Sequence, residues 1–510
     1  MENYFVTLKK GVDVDEFSDD METPGGSLYI PDRSVDVADR RPNNLRSTLY
    51  NLSADEAETI RQDSRVVAVQ LPVPVSARTD FGTQTGRFYR GTNKDSGVVN
   101  WGLRRCIQTS YESSQETFSN NQGFTYNLDG TGVDVVIQDS GVMTGHPEWE
   151  DKFGVTRLVE HDWYTAAGVS GTMPVGFYGD VGNHGTHVAS TVAGKLYGWA
   201  KNARIYSMRY DLMAEDDMYD LIRLWHLSKP ITRTGYRRPT IVNASWGYRW
   251  YYPGYNAAQG GAITDIQYRG VSRGTSLSVN WGMKVNSSGR VGCLRDAVND
   301  AAAEDCIDAG ITVVRAAGNY YHKLDVAGGL DYDNSMTLDT SWASVSAGTP
   351  IFYNRPGSPY ADGMIMVANI NATNTVAGIE PIANSSEKGP RIDVCAPGSQ
   401  ITAATNTAGY GSFYDSTYPT NSNYKISRIS GTSMASPQVC GVLAQYLQIN
   451  PHATPADLKN WVIANAQSGS LDVGTGTGTD YSDDSSLQGG PDRYLYQPFN
   501  NPIQGRIRNA

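Results

Sequence analysis

The sequence predicts an α/β protein in three layers, a mostly parallel sheet covered by helices, preceded by a small α+β domain. Three observations predict it. Apolar, β-branched runs recur at Ile205–Met208, Ile241–Ala244, Ile311–Arg315 and Met364–Ala368, each short enough for a strand buried on both faces. Helical patterns alternate with them at Asp217–His226, Leu294–Asp308 and Ala456–Ala466, and helices on both faces of a parallel sheet bury such runs. At 510 residues the chain exceeds one ordinary domain and has room for a large core with appendages.

At the N-terminus, Tyr4–Leu8 alternates like a strand. Ser53 and Glu56 form a capping box ahead of a helix reaching Arg61, and Val66–Val69 is a second strand. Residues 1–72 are therefore the small α+β domain. Residues 73–99, rich in Pro, Ser, Thr and Gly, read as a linker, and Pro72 and Pro74 interrupt the extended chain at its start. From Val133 a β-branched run leads to Asp139, where Ser140 and Gly141 turn the chain, so a carboxylate stands at a strand end. Gly182–Gly194 is a glycine-bounded turn into small residues that start a closely packed helix, with His184 at its mouth. Thr240–Tyr248 is a strand running into a turn, and Ile311–Asn319 is another strand ending in small residues. Gly431–Pro437, GTSMASP, opens a helix that apolar Val439–Leu447 continues. Gly431 permits a sharp approach, and Pro437 suits a first turn, where a missing N–H costs nothing. Ser433 then lies at a helix N-terminus, where N–H groups favour developing negative charge.

Composition excludes several functions. A formal net charge of −11 without a basic cluster argues against a nucleic-acid partner. No apolar segment is long enough to cross a bilayer. The opening MENYFVTLKKGVDVDEF lacks the basic-then-apolar pattern of a secretory signal, so synthesis in the cytoplasm is expected. The five cysteines, Cys106, Cys293, Cys306, Cys395 and Cys440, leave at least one unpaired and show no metal-ligand spacing, which suits a reducing compartment. Cys440, on the apolar face after Ser433, reads as a small core residue.

A serine hydroxyl is a poor nucleophile alone. It needs a base to take its proton and a carboxylate to fix the base's tautomer and stabilise its cation. Ser433, His184 and Asp139 fill these roles. Asp139-Ser140-Gly141, His184-Gly185-Thr186-His187 and Gly431–Pro437 resemble the three signature motifs of the subtilisin-like serine proteases (subtilases, peptidase S8), in that family's order. The resemblance implies a subtilisin-like fold and a serine endopeptidase working through an acyl-enzyme on protein or peptide substrates. It implies that Asn319 donates to the oxyanion with the Ser433 N–H, since acyl transfer builds an oxyanion that wants preorganised donors. Ser245, Trp246 and Gly247 match the family's substrate edge, which pairs with an extended peptide as an added strand. The resemblance implies that Ala316, Ala317 and Gly318 form the other wall of the pocket for the residue before the scissile bond. Tyr248 departs from the family, standing where a second glycine is usual. His187, the motif's second histidine, packs or bonds structurally. No organic cofactor is required. The short KLYGWAKNA after the histidine motif resembles the proteinase K branch rather than subtilisins with a calcium-binding loop there, and a structural calcium has no ligands assigned.

YFVTLKKGVD and SRVVAVQ in the N-terminal domain resemble the inhibitor-like propeptide of subtilases, so the chain's own first domain is an expected inhibitor of a proenzyme. Asn100-Trp101-Gly102-Leu103 looks like the start of many mature subtilases, which bounds the catalytic domain at 100–466. Two stretches are additions. Residues 248–290, rich in Tyr, Gly, Ser and Asn, read as a flap beside the cleft or a packed surface excursion. Residues 467–510 pass through the acidic, low-complexity SGSLDVGTGTGTDYSDDSS and end in RYLYQPFNNPIQGRIRNA, a candidate docking peptide. Both offer surfaces to assembly partners. With the missing leader and the proline-interrupted junction, they support an alternative: a structural or assembly protein, such as a phage virion component, that keeps a subtilase fold with its cleft covered.

Overall fold

Asp134–Asp139, DVVIQD, is buried at every position, as a strand between two helical layers has to be. The computed structural model that places it describes residues 2–9, 11–31, 36–40, 47–70, 82–85, 99–108, 123–213, 215–232, 235–251, 262–283, 290–339, 346–372, 379–410, 414–473 and 486–500. Residues 1–81 with 230–237 form one unit, and 82–229 with 238–510 another.

In the second unit, seven parallel strands lie in the order Val394–Pro397, Ile365–Ile370, Thr312–Ala316, Thr240–Ala244, Asp134–Asp139, Arg204–Arg209, Leu158–Val159. The chain enters at Asp134, adds strands on one side, then crosses to build the other. Strand order therefore reverses around Asp134–Asp139, and the carboxyl ends at such a reversal leave a crevice. Alternation sends Val135, Ile137 and Val314 to the face covered by His184–Ala193 and Thr432–Ile449. Val136, Val242 and Val313 face the layer of Glu215–Ser228 and Ala297–Asp308. The second of these helices begins three residues later than its pattern suggests, because Asp296 caps it, accepting from the Val298 and Asn299 N–H groups at 3.0 Å.

A sheet edge left open invites pairing with other chains. One edge here is a two-residue strand, Leu158–Val159. The other is covered from within: Cys395 N–H donates to Arg493 O and Leu495 N–H to Cys395 O, both at 2.8 Å. Tyr494 and Leu495 are buried in the main core. Residues 486–497 are thus an integral part of this unit rather than a loose tail beyond Ala466, and the acidic 474–485 between lies outside the described residues. Arg105 locks the same region. It gives Nε and Nη2 to Glu380 Oε2 at 2.9 and 2.5 Å under the Tyr494 ring, with both side chains buried. Arg105→Ala leaves Glu380 an uncompensated buried charge and is expected to cost about 3–5 kcal/mol. The urea midpoint measures it, and Arg105→Met with Glu380→Leu is expected to recover most of the loss.

The described part of the Tyr-rich insertion is a packed excursion, while 252–261 and 284–289 lie outside the described residues. Arg249–Tyr251 pairs with Arg290–Cys293 at its base, and Ile263–Tyr268 pairs with Ser335–Leu338 from a second excursion that composition did not reveal. Ile263, Ile266, Met283, Met336, Leu338 and Ile351 give the pair a core of its own, and Tyr248 packs against it.

In the first unit, an antiparallel sheet runs Asp36–Arg40, Ser47–Leu52, Glu2–Leu8, Val66–Gln70. Val14–Glu22 and Ala54–Arg61 supply Phe17, Met21, Ala57 and Ile60 to its core. Ser53 Oγ accepts from Glu56 N–H at 3.2 Å, and Glu56 accepts from Ser53 N–H at 2.7 Å, the reciprocal cap expected of that pair. Of the linker, residues 73–81 and 86–98 lie outside the described residues.

Candidate active site

The end of Asp134–Asp139 and the start of His184–Ala193 touch through glycine. A Cβ on Gly185 would lie 2.0 Å from the Gly141 carbonyl oxygen, and one on Gly141 would lie 1.9 Å from that of Gly179, so neither position admits a side chain. The helix's first N–H groups have no acceptor one turn back. Ser140 Oγ accepts from Gly185 N–H at 3.0 Å and Asp180 from Thr186 N–H at 2.9 Å, while Ser140 donates to Asp180 at 2.9 Å. This network holds His184 in the first turn. His184 Nδ1 stands 2.7 Å from Asp139 Oδ1, which also accepts from the Ser140 N–H at 2.7 Å. Asp139 is fully buried. Burial opposes a charge on His184, but the charge and hydrogen bond of Asp139 outweigh it, and Asp180 adds to them, holding the imidazole's pKa above its ordinary value. His187 is different. Its Nε2 reaches the Ile401 and Ser427 carbonyls at 3.1 and 3.2 Å, and burial pushes its pKa down to about 3, so it is neutral and structural.

Ser433 lies in the first turn of Thr432–Ile449. Pro437 sits inside this helix, past the first turn that suits it, because the helix already begins at Thr432. Its ring removes the N–H that would bond the Ser433 carbonyl. That carbonyl accepts from the Ser245 hydroxyl at 3.0 Å instead. Asn243 donates to Ser245 Oγ and accepts from Ser436 Oγ, each at 2.8 Å. The substrate-edge strand and the Ser433 helix are thus stitched together by Asn243 and Ser436, which motif reading passed over. The Ser433 hydroxyl donates to the Ser245 carbonyl at 3.2 Å and not to His184.

Asn319 accepts from Thr432 N–H at 3.0 Å and Thr432 Oγ1 at 3.2 Å, both through Oδ1. This fixes the amide and leaves Nδ2 as its donor face. Ser433 N–H, in the helix's first turn, likewise has no intrahelical acceptor. His184, Ser433, Asn319, Ser245, Trp246, Gly247, Ala316 and Gly318 line one cleft of about 680 Å³. Ala317 does not. It is buried in the main core, one residue past the end of the strand Thr312–Ala316. Trp246 is half-buried, its ring 5.7 Å from Tyr210 and 5.8 Å from Tyr248. Among the described residues no three acids, histidines or cysteines gather to hold a metal ion, and no helix is long and apolar enough to cross a membrane. Cys106, Cys306, Cys395 and Cys440 are buried and free.

The Peptidase_S8 profile, the subtilase family, matches residues 130–489. The chain is 26% identical over 415 residues to the extracellular serine proteinase of Thermus sp. (strain Rt41A), covering 81% of this chain and 69% of that protein. It is 24% identical over 438 residues to the alkaline serine exoprotease A of Vibrio alginolyticus, covering 86% and 58%. Among solved structures, a cold adapted subtilisin-like serine proteinase is 22% identical with a TM-score of 0.47, over 78% of this chain and 98% of that one.

Proposed function

The chain belongs to the subtilase family, and we propose that its serine endopeptidase activity runs through Asp139, His184 and Ser433 as an acyl-transfer triad. The observation that carries this reading is the 2.7 Å contact between His184 Nδ1 and buried Asp139, with His184 and Ser433 on one cleft. Nδ1 carries its proton toward the carboxylate, so Nε2 is the free base. Ser433 turns from the Ser245 carbonyl to His184, gives up its proton and attacks the peptide carbonyl. The imidazolium, stabilised by Asp139, then protonates the leaving amine, and water repeats the sequence on the acyl-enzyme. Asn319 Nδ2 and the Ser433 N–H receive the oxyanion. A fluorophosphonate tests the reading: it labels Ser433 in the wild type and fails on His184→Ala. An unlabelled wild type would overturn it.

Asn319→Ala is expected to lower kcat by about 10²–10³ with KM little changed, because its amide meets charge that develops only at the transition state. Steady-state kinetics on one peptide separates the two constants. Residues 1–72, with their own sheet and core, are proposed as the inhibitor domain of a proenzyme. A second reading, an assembly component with a silent site, draws on one observation, the Ser433 hydroxyl held by the Ser245 carbonyl.

A further inference from the structure

Among the described residues, Arg315 is a buried cation without a counter-charge beneath the cleft. It stands in the strand Thr312–Ala316, is 1% exposed, and has no carboxylate within ion-pair distance among the described residues. Its five N–H donors meet little. Nη2 reaches the Ser358 carbonyl at 3.4 Å, Nη1 reaches Met366 Sδ at 3.7 Å, and Nε is buried with no partner. Two other buried arginines have carboxylates, and a third, Arg157, has carbonyls within hydrogen-bond distance of two of its nitrogens. Arg105 has Glu380 and Gln467, Arg391 has Asp393 at 2.9 Å, and Arg157 reaches the Ala193 and Ala203 carbonyls at 2.8 and 2.9 Å. A buried guanidinium without a counter-charge is costly until an opposite charge joins it.

Its position names that ligand. Arg315 lines the same cleft as Ser433 and Asn319. A Cβ on Gly247 would lie 2.7 Å from Arg315 Nη2, so the guanidinium sits directly behind the substrate-edge wall. Ala316 and Gly318, on the opposite wall, follow it in the chain. The acids nearby are engaged or turned away: Asp300 pairs with Arg295 at 2.5 Å, and Glu387 is buried behind Gly318, off the cleft lining. We propose that Arg315 is the floor of the pocket for the residue before the scissile bond and that the enzyme selects glutamate or aspartate there. The inference rests on the protease reading and extends it to substrate class. A carboxylate entering between the walls meets a planar fork of N–H donors that it can satisfy two at a time. A neutral side chain leaves the cation bare.

The test uses the full chain and peptidyl phosphonates that differ only in the residue next to phosphorus. Wild type is expected to react with the glutamyl probe at least about tenfold faster than with the glutaminyl or leucyl ones, since pairing a desolvated charge outweighs a neutral hydrogen bond. Arg315→Met erases the glutamyl advantage while a generic fluorophosphonate still labels Ser433. Equal rates for the three probes in the wild type, or a leucyl lead, overturn the acidic preference and leave the protease reading standing. A wild type that no probe labels overturns both. If Arg315→Met does not fold, the wild-type series decides alone, because glutamine matches glutamate in shape and lacks only the charge.

Discussion

Ser433→Ala is expected to lower peptide hydrolysis by about 10⁶-fold and leave the fold intact. The rate falls that far because the remaining residues lose the atom on which they act. On the proposed mechanism His184 has no serine proton to accept, and what remains is direct attack by water, helped only by binding and by Asn319 at the oxyanion. The fold survives because the hydroxyl makes a single hydrogen bond, 3.2 Å long, to the Ser245 carbonyl. Removing it is worth no more than about 1 kcal/mol. The stitch that orders the helix runs the other way, from Ser245 Oγ to the Ser433 carbonyl, and alanine keeps it. Intact mass of the wild type beside the variant, with fluorophosphonate labelling of both, is the measurement. A proenzyme sheds its N-terminal segment only in the wild type. Residues 73–99 hold Asp80 and Asp95 as their acidic residues, so the pocket proposed for Arg315 places the cut after one of them. Two full-length, unlabelled proteins would instead mark an assembly component with a silent cleft.

Much of this site was legible because its chemistry is local. Asp139 ends a β-branched run, His184 follows a glycine turn, and Ser433 opens a helix, so each announces itself within about ten residues. The strands were legible for the same reason. Burial on both faces demands continuous apolar runs, and runs this short are too brief for a buried helix. What sequence could not give depends on which way a residue faces or what comes back from far along the chain. Ala317 sits between two cleft residues and faces the core. Pro437 reads as a first-turn proline until the helix start is known. Tyr494 and Leu495 follow a low-complexity stretch, yet they cover a sheet edge laid down about one hundred residues earlier. The second excursion, Ser335–Phe352, became visible only as the partner of the first. Arg315 is the sharpest case. The run Ile311–Arg315 reads as a strand, and only the burial of its arginine, with no carboxylate within ion-pair distance among the described residues, reveals an uncompensated charge.

Asp139→Asn is expected to cut kcat/KM by about 10⁴-fold and to move the acid limb of its pH profile downward. The geometry gives the amide two settings, and both are poor. With its oxygen at the Oδ1 position it keeps the bonds from Ser140 N–H and His184 Nδ1, but its NH₂ then occupies the site of Oδ2, which is buried and has no partner. Nδ1 keeps its proton, yet the imidazolium formed in catalysis faces a neutral group. With the amide turned over, its NH₂ meets Nδ1, and the proton moves to Nε2, where the base should be free. Either way the negative charge that raises the His184 pKa is gone, and burial, which lowers it, is unopposed. The base therefore stays neutral to lower pH, and the activity that remains persists there. Stability moves with the opposite sign. A pKa raised on folding contributes stability in full below the unfolded histidine value of about 6.5, and the contribution fades as pH rises through the folded value. The variant should lose most against wild type in mildly acidic buffer, with the difference narrowing toward alkaline pH. Thermal melts of both proteins from acid to alkaline buffer, beside their kcat/KM profiles, check the two signs together. An unmoved acid limb would mean that the group titrating in catalysis is not His184 under the control of Asp139.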